Sequence, residues 1–124
     1  MLINFTPHLM PMSRGILESI YVKLAPGKTA AELKTHLQGV YENEPFVHIL
    51  EGGKVPETRH VRGSNNCFIN VFEDRLSGRA IIISAIDNLV KVRRFEGGGG
   101  GREGGMALRT VSLYLHLSHS TTYV

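Results

Sequence analysis

The 124-residue sequence predicts an α+β domain, a mainly antiparallel sheet with one or two helices packed on it. Three observations point there. Two runs alternate apolar with polar residues, as half-buried strands do. One window repeats its apolar residues at helical spacing behind a capping box. A third run, around residue 80, is almost continuously apolar, the pattern of an interior strand.

Each element follows in order. Residues 5–15, Phe-Thr-Pro-His-Leu-Met-Pro-Met-Ser-Arg-Gly, hold two prolines and a glycine and predict a loop. Ile16, Glu18, Ile20, Val22 and Leu24 then alternate with Leu17, Ser19, Tyr21 and Lys23, which predicts a half-buried strand. Pro26-Gly27 turns the chain. Thr29 with Glu32 forms a capping box, and Leu33, Leu37, Val40 and Tyr41 recur on one helical face, so a helix is expected over 30–41. Glu44-Pro45 ends it, and Phe46–Leu50 is a short strand candidate. Val55–Val61 reads as extended but polar, an edge or a loop run, because it contains Pro56. Cys67–Glu73 alternates again. Asp74 to Gly78 has turn chemistry, and Arg79–Ile86 completes a hairpin whose second strand should be central. Asp87-Asn88 has the chemistry to cap a helix at Leu89-Val90.

After Lys91 the character changes. Residues 1–91 carry ten basic and nine acidic side chains, a net of +1, while 92–124 carry four and two, a net of +2. Seven of the 14 glycines lie between Gly97 and Gly105, and that tract reads as a flexible linker. Beyond it, Val111, Leu113, Leu115 and Leu117 alternate with Ser112, Tyr114, His116 and Ser118. An added strand and an unfolded, aggregation-prone segment both fit that run. The chain therefore divides into a domain, 1–91, and a glycine-rich tail, 92–124.

Composition excludes several classes. The charge excess is too small and scattered for a nucleic-acid groove, and no apolar run reaches the roughly 20 residues of a membrane span. The single cysteine, Cys67, excludes an intrachain disulfide and a multi-cysteine zinc site. No metal site is expected: His116 and His119 would point to opposite faces of a strand, and no carboxylate or thiol accompanies them. The glycine tract lacks the Gly-Lys-Ser/Thr ending of a phosphate loop. The N-terminus is too short and uncharged for a targeting segment.

Among side chains able to do chemistry, His8 is suited to acid–base work near neutral pH. Arg14, six residues on, can grip a carboxylate or phosphate through two parallel hydrogen bonds. Spacing alone favours an exposed loop histidine beside a surface arginine. Cys67, inside a strand, reads as a small buried hydrophobe and not as a nucleophile. Arg62-Gly63-Ser64-Asn65 either presents donors to an anion or simply turns the chain. Asp87 and Asn88 read as caps first and site residues second.

Three segments carry a further signal. Phe5 to Gly15, Val61-Arg-Gly-Ser-Asn-Asn-Cys67 and Ile86-Asp-Asn-Leu-Val-Lys91 together resemble N-acetyl-gamma-glutamyl-phosphate reductase, in wording closest to plant forms. The resemblance spans about residues 3 to 91, with the motifs in family order. It implies a mixed, mainly antiparallel sheet, as in the C-terminal domain of semialdehyde and glyceraldehyde-phosphate dehydrogenases. It also implies an enzyme of arginine biosynthesis that reduces N-acetyl-glutamyl phosphate to the semialdehyde with NADPH, acting as a homo-oligomer. His8 then becomes the catalytic acid and base, and Arg14 the substrate anchor. The resemblance implies a plastid location for a plant protein and a cytoplasmic one otherwise.

The sequence also departs from that family. The glycine-rich dinucleotide turn and the nucleophilic cysteine of the family's NADP domain are not in this chain. From Val92 the resemblance stops, as translation through a retained intron would make it. Two expectations therefore stand side by side. One is the substrate and dimerisation domain of such a reductase, inactive by itself; the other is a non-catalytic dimerisation or regulatory module, or truncated splice product, that pairs with full-length subunits.

Overall fold

Strands form where the alternation places them. In the computed structural model, which describes residues 6–91, β1 spans Ile16–Lys23, β2 Val47–Ile49, β3 Cys67–Glu73 and β4 Arg79–Ile86. They make one sheet in the order β1-β4-β3-β2. β4 pairs antiparallel with β1 and β3, and β2 pairs parallel with β3. The expected mixed, mainly antiparallel sheet is thus present, with the apolar β4 inside it. Residues 1–5, the glycine tract, the 111–118 run, and His116 and His119 lie outside the described residues.

The first helix, α1, spans Ala30–Val40, with Tyr41 as its C-cap. Its capping box closes as the sequence predicts: Thr29 Oγ1 accepts the Glu32 amide, and the Glu32 carboxylate accepts the Thr29 amide. Ala30, Leu33 and Leu37 face the sheet, where they join Ile20, Cys67, Ile69, Val71, Ala80, Ile82 and Ile86 in one core. Burying each leucine stabilises the fold by about 1.5–3 kcal/mol relative to leaving it in water. Val40 departs from the expected stripe. It is 52% exposed, because the helix ends there and its last turn overhangs the core.

The register places Ile16, Glu18, Ile20 and Val22 of β1 on the helix-bearing face, in line with Ile86, Ser84, Ile82 and Ala80 of β4. The other face carries Leu17, Ser19 and Tyr21 beside Ala85, Ile83 and Ile81. Half of that second face is covered by the segment before β3. Asn70, fully buried on β3, anchors the cover by donating from Nδ2 to the carbonyls of Gly52 and Lys54 at 3.1 and 2.7 Å.

The cover differs from the sequence expectation. Val55–Val61 is not extended throughout: Thr58–Val61 forms a single helical turn, α2. Val61 is fully buried while Arg59 and His60 face solvent, so the turn exists to seat one valine. Four residues are too few for a helical period to show in sequence. The last element, α3, is Asn88–Lys91, started by the Asp87-Asn88 pair that the sequence offered as a cap.

Candidate functional site

The three motif segments are far apart in sequence and meet at one end of the sheet. Gly15 leads the loop into β1, Gly63 sits in the turn after α2, and Asp87 follows β4. Strand pairing brings them together, since Ile16 and Cys67 both pair with Ile86.

Asp87 is the joint. Its side chain is fully buried, and its Oδ2 accepts the Gly63 amide at 2.7 Å and lies 3.4 Å from Arg14 Nη1. Oδ1 accepts the amides of Leu89 and Val90 at 2.9 and 3.3 Å, which caps α3. The Gly63 amide is the largest influence holding the Asp87 carboxyl below its ordinary range. The Leu89 and Val90 amides and the Arg14 charge act the same way, against burial.

Two neighbouring contacts complete the junction. Asn88 Oδ1 accepts the Gly15 amide at 2.7 Å. Lys91, 5% exposed, donates from Nζ to the Asn65 carbonyl at 2.6 Å, and burial lowers its pKa from the ordinary lysine range. The Arg62-Gly63-Ser64-Asn65 turn is therefore held at Gly63 by a buried carboxylate and at Asn65 by a buried ammonium.

Gly15 permits the close approach. Its φ is +110°, and a Cβ placed there would meet Thr58 Cβ at 2.9 Å and Cγ2 at 3.0 Å. Only glycine fits both that backbone and that gap.

Arg14, expected as a site residue, lies in this junction with a third of its side chain exposed. His8, also expected, is on the loop surface, where its Nδ1 lies 3.0 Å from the Thr6 carbonyl oxygen. Among the described residues no hydrogen bond joins His8 to Arg14. Cys67 is 1% exposed in the core, as its strand position predicts. Asp87 was legible as a cap first and a site residue second; its hold on Gly63 and Arg14 has no local signature.

No three of the described His, Cys, Asp and Glu side chains are grouped to hold a metal. No described helix is long and apolar enough to cross a membrane. Among the described residues, the turn into α1 is Pro26-Gly27, without the glycine-rich run of a dinucleotide site. The N-terminus of α1, where a pyrophosphate would bind in a dinucleotide fold, is already closed by Thr29 and Glu32.

The family model of the semialdehyde dehydrogenase dimerisation domain matches residues 1–88. The chain belongs to this family. Its relatives include the protein named "Probable N-acetyl-gamma-glutamyl-phosphate reductase, chloroplastic" of Oryza sativa subsp. japonica, 61% identical over 89 residues. The match covers 72% of this chain and 21% of the rice protein. A protein of the same name in Arabidopsis thaliana is 57% identical over 89 residues, covering 72% of this chain and 22% of its own. The N-acetyl-gamma-glutamyl-phosphate reductase of Afipia carboxidovorans is 58% identical over 90 residues, covering 73% and 26%. This dimerisation-domain chain thus spans about a fifth to a quarter of the length of the curated relatives it matches.

Proposed function

We propose that this chain is the substrate-binding and dimerisation part of an NADPH-dependent N-acetyl-gamma-glutamyl-phosphate reductase. The observation that carries the proposal is the junction itself: the three segments resembling that enzyme are the three that converge on Asp87. Identity of 52–61% to reductases of plants and bacteria supports it.

His8 serves as the acid and base. It is exposed on a loop, so a substrate can reach it, and an imidazole can both give and take a proton. Arg14 anchors an anionic end of N-acetyl-glutamyl phosphate. Its guanidinium matches a carboxylate or phosphate in a planar fork. NADP and the nucleophilic thiol belong to parts of the enzyme outside the described residues, and Cys67 is too buried to serve as that thiol.

Self-association goes through the uncovered half of the second sheet face. Leu17 and Tyr21 stand there 53% and 60% exposed, beside the half-buried Ile81 and Ile83. An apolar sheet face of this kind, left open in a chain of a dimerisation family, suits a second copy or a full-length subunit. The plant relatives' names support a plastid location if the chain is a plant protein.

A chimera tests the enzymatic role. Residues 1–91 replace the matched segment of the rice relative, and NADPH oxidation is followed with N-acetyl-glutamyl phosphate. Turnover by the chimera, with none from the chain alone, is expected. A folded, dimeric chimera without activity would overturn the assignment. Mixing the chain with the rice protein separates the second role: mixed dimers that lower turnover would mark a regulatory module.

A further inference from the structure

We propose that Asp87 is a positioning residue, which holds Arg14 by one nitrogen and aims the rest of its guanidinium at the substrate's anion. This rests on the assignment of Arg14 as the anchor. Three amides and one guanidinium surround the carboxylate: Gly63 and Arg14 on Oδ2, Leu89 and Val90 on Oδ1. Hydrogen bonds from three amides to its two oxygens, with the Arg14 ion pair beside them, fix the orientation of the carboxylate. Burial fixes it further, since its side chain is wholly shielded from water.

Arg14 meets that fixed group through Nη1 at 3.4 Å. Among the described residues Nη2 and Nε have no partner, and a third of the side chain faces solvent. A guanidinium has five N–H donors in a rigid fork. Pinning one nitrogen leaves the Nη2–Nε edge for a bidentate grip on a carboxylate or phosphate. Because Oδ2 also holds the Gly63 amide, the anchor and the turn before Cys67 move as a unit. An amide at 87 would present an N–H toward Gly63 or Arg14 and remove the charge that retains the guanidinium.

The test uses the full chain, isotopically labelled, by NMR. In the wild type the Arg14 Nη protons should resolve separately through hindered rotation, while those of Arg62, exposed and without a partner among the described residues, average. The chain is then titrated with N-acetyl-L-glutamate and with inorganic phosphate, following the Arg14 Nε signal. The two probes distinguish a carboxylate from a phosphate ligand. Binding should weaken about tenfold in D87N at temperatures where that variant is folded, the scale of losing one side chain's preorganisation. D87E should recover part of the affinity, whereas R14A should lose it.

Arg14 protons that average as freely as those of Arg62 would overturn the proposal, and that measurement needs no variant. Unchanged binding by folded D87N would overturn it too. Binding that R14A leaves unaltered would instead overturn the anchor assignment, while hindered Arg14 rotation would still uphold the hold of Asp87.

Discussion

The amide of Gly15 donates to Asn88 Oδ1 at 2.7 Å, across 73 positions of sequence. That bond ties the loop before β1 to the turn after β4, the two ends of neighbouring strands. It places Arg14 beside Asp87 and brings Gly15 against Thr58. Five consequences can be measured.

Gly15→Ala should destabilise the domain by about 2–4 kcal/mol, combining a strained positive φ with a steric clash. Gly27→Ala is the comparison: its φ is +80°, but nothing lies within 4 Å of the added methyl, so strain acts alone. Urea unfolding of both variants checks this, and equal losses would remove the Thr58 contact from the account.

His8→Ala in the chimera should lower turnover at least about a hundredfold, the usual scale of acid–base catalysis. Its melting temperature should hardly move, because His8 is exposed and its hydrogen bond among the described residues is to its own loop. An unchanged rate would remove His8 from catalysis.

Arg14→Lys should chiefly raise KM. The charge facing Asp87 stays, while the fork that would grip the substrate is lost. Steady-state kinetics of the chimera decide, and a KM equal to the parent's would count against the anchor.

Acid should unfold the domain partly through Asp87. Its folded pKa lies below the ordinary 3.8, so the ionised form contributes stability above that value. That contribution falls away as pH drops from 3.8 through the lower folded value. Glu32, held down mainly by the Thr29 amide from an ordinary 4.5, acts in the same direction. Urea unfolding between about pH 6 and pH 3 should show a shallower acid limb in D87N than in the wild type. Parallel limbs would contradict the Gly63 hydrogen bond.

Cys67 should react with a thiol reagent at least roughly a hundredfold more slowly in the folded chain than in denaturant, since its sulfur is buried. Cys67→Ala in the chimera should leave kcat near the parent value. A large loss of kcat at unchanged stability would revive it as a nucleophile.

Much of the fold was legible because it is local. Cys67–Glu73 and Arg79–Ile86 are strands at the ends their alternation and apolar run indicate, and Thr29 with Glu32 marks the start of α1. Two features were not legible. A single turn at Thr58–Val61 is shorter than the period that reveals a helix, and Val61 is helical because a sheet lies beneath it. Asp87 looks like a cap, and it is one. Its bond to Gly63, 24 residues away, depends on strand pairing that no neighbouring residue encodes.

Residue order alone was enough for most of the elements and, through three motifs, for the kinship that the family match to residues 1–88 bears out. These follow from short-range patterns of hydrophobicity, turn chemistry and residue identity. What those motifs do to one another emerged only from the folded chain. Pairing β4 with both β1 and β3 puts the ends of three distant segments side by side. There a buried carboxylate must find every partner it can, because an unpaired charge away from water is too costly to keep. That necessity gathers Arg14, Gly63 and the start of α3 around Asp87.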